Sequence, residues 1–394
     1  MIMRESRRTS GVRINADPAM AALCLKDGPC LETGRKSVST VLQIKQVTKS
    51  YGAAPALDAV DFSLPDDAYI SLLGPSGSGK TTLLRVIAGF EEPDSGSILF
   101  HGKRLDGVQP HDRGIGFVFQ NFALFPHLSV AENVAFGLRN RKVDPVTDPR
   151  ALASRVQDML ALVGLKGFDD RAVTQISGGQ RQRVALARTL VTEPKMVLLD
   201  EPLGALDANL RGRMRSELKI IRERCGVTFL HVTGSESEAL AMGDLVLVLD
   251  RGRIAQAAAS DVVYNSPASA AVARYLNCYN LFAGAVVEDA FVGPAGRFPL
   301  NASRRKAPQP AYAIRYDRVA IRPRDARLSD DEVRIEGDFI ASEYSGAAVN
   351  SFFSLDGGHV FEVESHLSHA RPPAFVEKDR YALVWKKEDA LVFG

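Results

Sequence analysis

The sequence predicts an α/β fold, a parallel sheet built around a phosphate-gripping loop, followed by a smaller all-β domain. Three observations predict it. A Gly-rich loop of the form G-x-x-x-x-G-K-[ST] lies between an apolar strand and a helical run. A second apolar strand, Met196–Leu199, ends in two adjacent carboxylates, and beyond Cys278 the chain breaks into short β segments separated by turns. At 394 residues, 45% of them apolar, the chain is long enough for two or three domains. A formal net charge of +2 gives no basic excess to argue for nucleic acid. No apolar run approaches the roughly 18 residues needed to span a bilayer. Cys24, Cys30, Cys225 and Cys278 form no C-x-x-C pair, which fits a reduced cytosolic setting rather than a zinc or redox site.

The loop reads Gly74-Pro75-Ser76-Gly77-Ser78-Gly79-Lys80-Thr81-Thr82, after Tyr69–Leu73 and before a helix through Ala88. Glycines without Cβ let successive backbone N–H groups turn inward on an anion, and the helix adds its positive N-terminus. Lys80 is spaced to reach the β- and γ-phosphates, and the Thr81 hydroxyl to reach Mg²⁺.

Taken in order, residues 1–40 hold Arg4, Arg7, Arg8 and the short apolar patch Ala19–Leu25. That patch is too short for a signal peptide, so a disordered extension is expected. Spaced apolar residues from Val41 and a strand around Ala59–Leu64 predict a small β layer. Tyr51 stands at its turn, where an aromatic stacks on a base or simply packs. Past the loop helix come a turn over Gly89–Gly96, a strand at Ile98–Phe100, and a buried strand over Gly114–Gln120. Gln120 at its end suits Mg²⁺ or an attacking water, with a satisfied core amide as the competing reading. Ala131–Leu138 and Arg150–Leu162 have helical periodicity, so about 126–190 reads as a helical subdomain.

Ser177-Gly178-Gly179-Gln180 then runs into a helix over Arg181–Val191. Ser177 is a natural N-cap, and the glycines expose backbone N–H groups at a helix start, a second potential phosphate site. Asp200 and Glu201 end the next strand, where ligands bind in parallel sheets. Alternation along a strand points the two acids to opposite sides. Asp200 suits the Mg²⁺ coordination sphere, and Glu201 suits polarising a water for in-line attack.

In this order, Tyr51, the phosphate loop, Gln120, Ser177–Gln180, Asp200-Glu201 and Leu206-Asp207 resemble the ATP-hydrolysing subunit of ATP-binding cassette (ABC) transporters, over about Val41 to Asn277. The resemblance implies a P-loop NTPase cassette with a RecA-like parallel core, a small antiparallel β layer and a helical subdomain. It implies ATP and Mg²⁺ as cofactors, with Tyr51 stacking on adenine, Thr81, Gln120 and Asp200 at the metal, and Glu201, Gln120 and Lys80 in catalysis. Ser177–Gln180 would be the signature motif that closes on the γ-phosphate held by a second cassette, giving a head-to-tail homodimer, and Asp207 would lie in the loop crossing between the two sites. The stretch Asn121–Val134 looks like the importer branch, in which this region receives a short helix from an integral membrane permease. Ile321-Arg322-Pro323 and the ending from Tyr381 resemble the transport-associated OB-like (TOBE) domain of importers for polyamines, ferric iron, phosphonates or sugars.

The expectation is therefore an extension (1–40), a cassette able to fold alone (41–277) and a regulatory OB-like domain (278–394). The protein would serve at the cytoplasmic face of the inner membrane, peripheral through the permease, with a periplasmic or surface solute-binding protein as an indirect partner. An OB-like barrel elsewhere often binds nucleic acid, but no basic-aromatic stripe supports that here. Two positions depart from the family pattern. Asp67-Ala68 replaces Gly-Glu, and Asp tolerates turn geometry. Thr233-Gly234-Ser235 replaces Thr-His-Asp, so the switch histidine is absent. His231 is no easy substitute, since three strand residues span roughly 10 Å and an odd offset faces the other side. The competing reading is a hydrolysis-impaired regulatory or heterodimer subunit.

Overall fold

A computed structural model describes residues 39–52, 54–142, 144–204, 206–300, 310–368 and 374–393. The expected N-terminal extension lies outside the described residues except for its last two, as do Cys24 and Cys30. β1 (Thr40–Tyr51) and β2 (Ala54–Pro65) precede β3 (Tyr69–Leu73), the phosphate loop and α1 (Lys80–Ala88). Next come β4 (Ser95–Phe100), β5 (Lys103–Arg104), β6 (Ile115–Val118), α2 (Val130–Asn140), α3 (Pro149–Leu162) and α4 (Gly178–Leu190). β7 (Met196–Asp200), α5 (Ala208–Cys225), β8 (Thr228–Thr233), α6 (Glu236–Met242), β9 (Leu245–Asp250), β10 (Arg253–Ala258), α7 (Ser260–Asn265) and α8 (Ala270–Tyr275) follow.

Six of these strands form one sheet in the order β10-β9-β3-β8-β7-β6, parallel except for β10. Both faces are covered, which is why β3 and β8 are continuous buried runs. On β7, Met196 and Leu198 enter the core shared with α1 and β1, whereas Val197 and Leu199 enter that of the helices α2 to α5. The antiparallel sheet β2-β1-β4-β5 forms the small β layer.

The expected buried strand over Gly114–Gln120 is shorter and less covered. β6 is the edge strand of its sheet, only Val118 is fully buried, and Gln120 lies exposed in the turn beyond it. An edge strand has an open side, so an apolar run alone overstates burial. Asp67, by contrast, meets its expectation, sitting at φ 51° in the turn before β3.

Among the described residues the C-terminal region is mainly β, with short 3-10 turns at Tyr316–Arg318 and Lys387–Asp389. Its strands are β11 (Tyr279–Ala283), β12 (Ala285–Val287), β13 (Ala290–Gly293), β14 (Gly296–Pro299), β15 (Ala311–Arg315), β16 (Ala320–Arg322), β17 (Glu332–Tyr344), β18 (Ala348–Leu355), β19 (Val360–His366), β20 (Arg380–Lys386) and β21 (Leu391–Phe393). Phe298, Tyr312, Phe353, Phe361 and Trp385 fill its core, and Trp385 Nε1 donates to the Tyr312 hydroxyl at 2.7 Å. A buried indole needs such an acceptor. The junction with the cassette is apolar. Val246, Val248, Val263 and Val272 cluster with Tyr279, Ala313, Leu391 and Phe393. A chain ended at Asn277 would uncover that face, at about 1.5–3 kcal/mol for each large side chain exposed. Independent folding of 41–277 thus stands as a proposal that has to absorb this exposure.

Candidate active site

β3 and β8 end side by side, with Leu73 opposite Thr233. The phosphate loop leaves β3, and space dictates two of its glycines. A Cβ on Gly74 would lie 2.3 Å from the Leu249 carbonyl oxygen, and one on Gly79 would lie 2.3 Å from that of Ala56. Gly79 also has φ 102°, which favours glycine. Lys80 opens α1 and is buried, its Nζ donating to the carbonyls of Gly74 and Pro75 at 2.8 Å each. Burial pushes its pKa down, while Glu201 and Asp200 pull it up. The lysine thus curls the loop back over the helix N-terminus.

Asp200 ends β7, with Thr81 beside it. Burial and then the charge of Glu201 push its pKa up, against Arg85, Lys80 and Thr81. Glu201 departs from the expected strand alternation. Its φ is +43°, and its N–H donates to the Val232 carbonyl at 3.1 Å, so a left-handed turn aims it instead. That conformation costs a side-chain-bearing residue about 1–2 kcal/mol and persists where the surroundings over-determine it. Gln120 Nε2 donates to Glu201 Oε2 at 2.9 Å. The fold therefore gathers Lys80, Thr81, Asp200, Glu201 and Gln120 at one end of the sheet.

The turn after β8 is built without a histidine. Thr233 Oγ1 donates to the buried Glu238 at 2.8 Å and accepts from the Ser235 N–H at 3.0 Å. Ser235 caps α6. At Gly234 an added Cβ meets nothing within 4 Å, and the backbone is not left-handed. His231 is fully buried, its Nδ1 3.0 Å from the Tyr69 hydroxyl, and burial pushes its pKa down to about 3. It is a neutral core residue.

Ser177 N-caps α4 through a reciprocal box. Its N–H donates to Gln180 Oε1 at 2.9 Å, and its Oγ accepts from the Gln180 N–H at 3.3 Å. The helix starts at Gly178, three residues before the expected Arg181. A Cβ on Gly179 would come within 2.9 Å of Leu210 on α5, whose N-cap is Asp207. Among the described residues no hydrogen bond or ion pair joins Ser177–Gln180 to the phosphate loop. Tyr51 is exposed at the end of β1, with its hydroxyl bonded to Glu91.

Three polar residues that sequence reading passed over also shape the site. Arg113 donates to the carbonyls of Val86 and Ile87 at 3.0 and 2.8 Å, closing the end of α1. Asn133 and Arg188 hold the segment after Gln120. For Asn133 and Arg188 the available signal was a polar side chain set among the apolar positions of a helix.

Comparisons with known proteins meet this geometry. Residues 57–204 match the family model described as ABC transporter, and 319–393 the one described as TOBE domain. The chain is 40% identical over 309 residues to the spermidine/putrescine import ATP-binding protein PotA of Clostridium novyi (strain NT), covering 78% of this chain and 86% of the relative. The chain belongs to the ATP-binding subunits of ABC importers. A second relative, the sulfate/thiosulfate import ATP-binding protein CysA of Bacillus cereus, is 42% identical over 310 residues, 78% of this chain and 85% of its own length. A dimeric post-hydrolysis structure of the ATP-binding cassette MJ0796 bound to ADP and Pi aligns with a TM-score of 0.50 and 30% identity, covering 56% of this chain and 98% of that one. The importer subunit is thus an ATPase with a P-loop cassette and a C-terminal TOBE domain, as the sequence led us to expect.

Proposed function

We propose that this subunit binds ATP and Mg²⁺ between its own phosphate loop and the Ser177–Gln180 motif of a second copy, and that closure of the pair drives a separate membrane permease. The observation that carries this reading is the Gln120–Glu201 hydrogen bond at 2.9 Å beside Asp200 and Lys80. Lys80 holds the phosphates. Thr81, Asp200 and Gln120 supply oxygens of the kind that hard cations prefer, and Asp200, half-buried beside another carboxylate, gains by meeting one. When bound, Mg²⁺ neutralises charge on the transferring phosphoryl group. Glu201 polarises the attacking water while Gln120 holds its carboxylate. The ring of Tyr51, exposed with Lys49 Nζ 5.8 Å from its centroid, stacks on adenine.

Next to Gln120 the surface is aromatic. Phe90 and Phe119 are exposed and stacked, and Phe125 lies 4.5 Å from Phe136 by ring centroids. Such a patch suits a short helix from the permease. Among the described residues no helix is long and apolar enough to cross a membrane. Docking on that partner would hold the subunit at the cytoplasmic face. Relatives named for polyamine import and for sulfate import match at similar identity. The solute is accordingly a small molecule chosen by the permease and its binding protein rather than by this chain. A second reading, a subunit that binds ATP and dimerises but hydrolyses slowly, rests on the sequence alone, in which Gly234 stands where the family pattern has a histidine.

The test of the leading reading is Glu201→Gln, an isosteric change that cannot accept a proton. Light scattering with ATP is expected to show a stable dimer, and a monomer alone contradicts the assignment.

A further inference from the structure

The turn that carries Gln120 is strained. Phe122 and Ala123 both have left-handed backbones, at φ 63° and 46°, which residues with a Cβ rarely adopt. Their two carbonyls are held by one side chain. Arg188 Nη2 donates to Phe122 at 2.9 Å and Nη1 to Ala123 at 2.7 Å, and the guanidinium lies 5.6 Å from the Phe125 ring centroid. Among the described residues no carboxylate stands within ion-pair distance of it, and burial alone pushes its pKa down. A planar fork facing two carbonyls and no anion is committed to the geometry of this turn. The far end of the segment is fixed separately. Buried Asn133 on α2 accepts from the Phe125 N–H at 2.9 Å and donates to the carbonyls of Phe125 and Ser129 at 3.1 and 2.9 Å.

We propose that Arg188 is a positioning residue that sets the place of Gln120, and through it the carboxylate of Glu201, according to the position of the helix begun by the Ser177–Gln180 motif. This rests on the roles given above to Gln120 and Glu201. Arg188 stands eleven residues beyond Ser177 on α4, roughly 16 Å along one helix at 1.5 Å per residue. A helix of that length moves as a rod, so a shift at the motif is carried to the Phe122 and Ala123 carbonyls. From there it passes through Gln120 to Glu201 Oε2. Arg188 touches neither the nucleotide-facing loop nor the acids, and it acts only through the turn.

The test compares the full-length chain with Arg188→Lys, which keeps the charge but replaces the planar fork, whose two nitrogens each hold one carbonyl, with a single nitrogen on a shorter stem. Hydrogen exchange of amides 119–125 should quicken by about tenfold, or about 1.4 kcal/mol, the order of one charge-assisted hydrogen bond, while β3 and β7 stay protected. Turnover should fall by a similar factor with the KM for ATP within about twofold. Adding Ala123→Gly to Arg188→Lys should restore part of the turnover, because glycine takes the left-handed region freely. Unchanged turnover with a loosened turn overturns the proposal, and so does faster exchange throughout the chain, which would mark a purely structural residue. Gln120→Ala is run alongside. If it too leaves turnover unchanged, the role of Gln120 has failed, rather than that of Arg188 alone.

Discussion

Gly74 and Gly234 follow neighbouring strands of one sheet, β3 and β8, yet they are glycines for different reasons. At Gly74 a Cβ would strike the Leu249 carbonyl at 2.3 Å, whereas at Gly234 it would meet nothing within 4 Å. The fold demands the first glycine and tolerates the second. The glycine at position 234 is therefore not imposed by crowding at its Cβ. The two sides of the site differ in the same way, the phosphate loop being fully built and the turn after β8 lacking a donor.

The largest expected effect breaks the built side. Lys80→Ala removes the one lysine of the loop, and its ATP affinity should drop by about 10²–10³-fold, or roughly 3–4 kcal/mol, by isothermal titration. Unchanged affinity would show that the loop grips phosphate without it. Next comes the glycine comparison itself. Gly74→Ala should destabilise the chain by about 3 kcal/mol through overpacking against backbone, and Gly234→Ala by less than about 0.5 kcal/mol. Equal urea midpoints for the two variants would erase the distinction.

A smaller effect tests whether His231 stands in for the absent donor. Its pKa is pushed down to about 3 from an ordinary 6.5, so the stability it lends is present above pH 6.5 and is lost as pH falls toward 3. Between pH 7 and pH 5 that loss is about 2 kcal/mol, as the unfolded chain takes up the proton that the folded one refuses. His231→Phe should remove this part of the acid sensitivity in urea melts and leave ATP turnover within about twofold. A collapse of turnover in a stable variant would place His231 in the site after all.

Much of this was legible in the sequence because the motifs are local. The phosphate loop, the Ser177 cap and the Asp200-Glu201 strand end are contiguous residues whose spacing fixes their geometry. What escaped depends on contacts distant in sequence. The left-handed turn at Glu201 overrides strand alternation, and its bond to Gln120 joins residues 81 apart. Gln120 looked like the end of a buried strand because Phe117, Val118 and Phe119 are apolar, but β6 is an edge. Arg188 stands out only as a polar residue among apolar helix positions, since the carbonyls it holds lie 65 and 66 residues away. The apolar junction at Tyr279 and Phe393 was hidden for the same reason, being formed by the two ends of the C-terminal region.

The most direct test of the difference between the two sides is ATP turnover of the full-length chain against Gly234→His. The position is open and its backbone is ordinary, so the histidine should be accepted without loss of stability. Supplying one preorganised donor where charge develops should raise turnover by about tenfold or more. Equal turnover in the two proteins, with equal ATP affinity, would contradict the account and show that this site positions the γ-phosphate by other means.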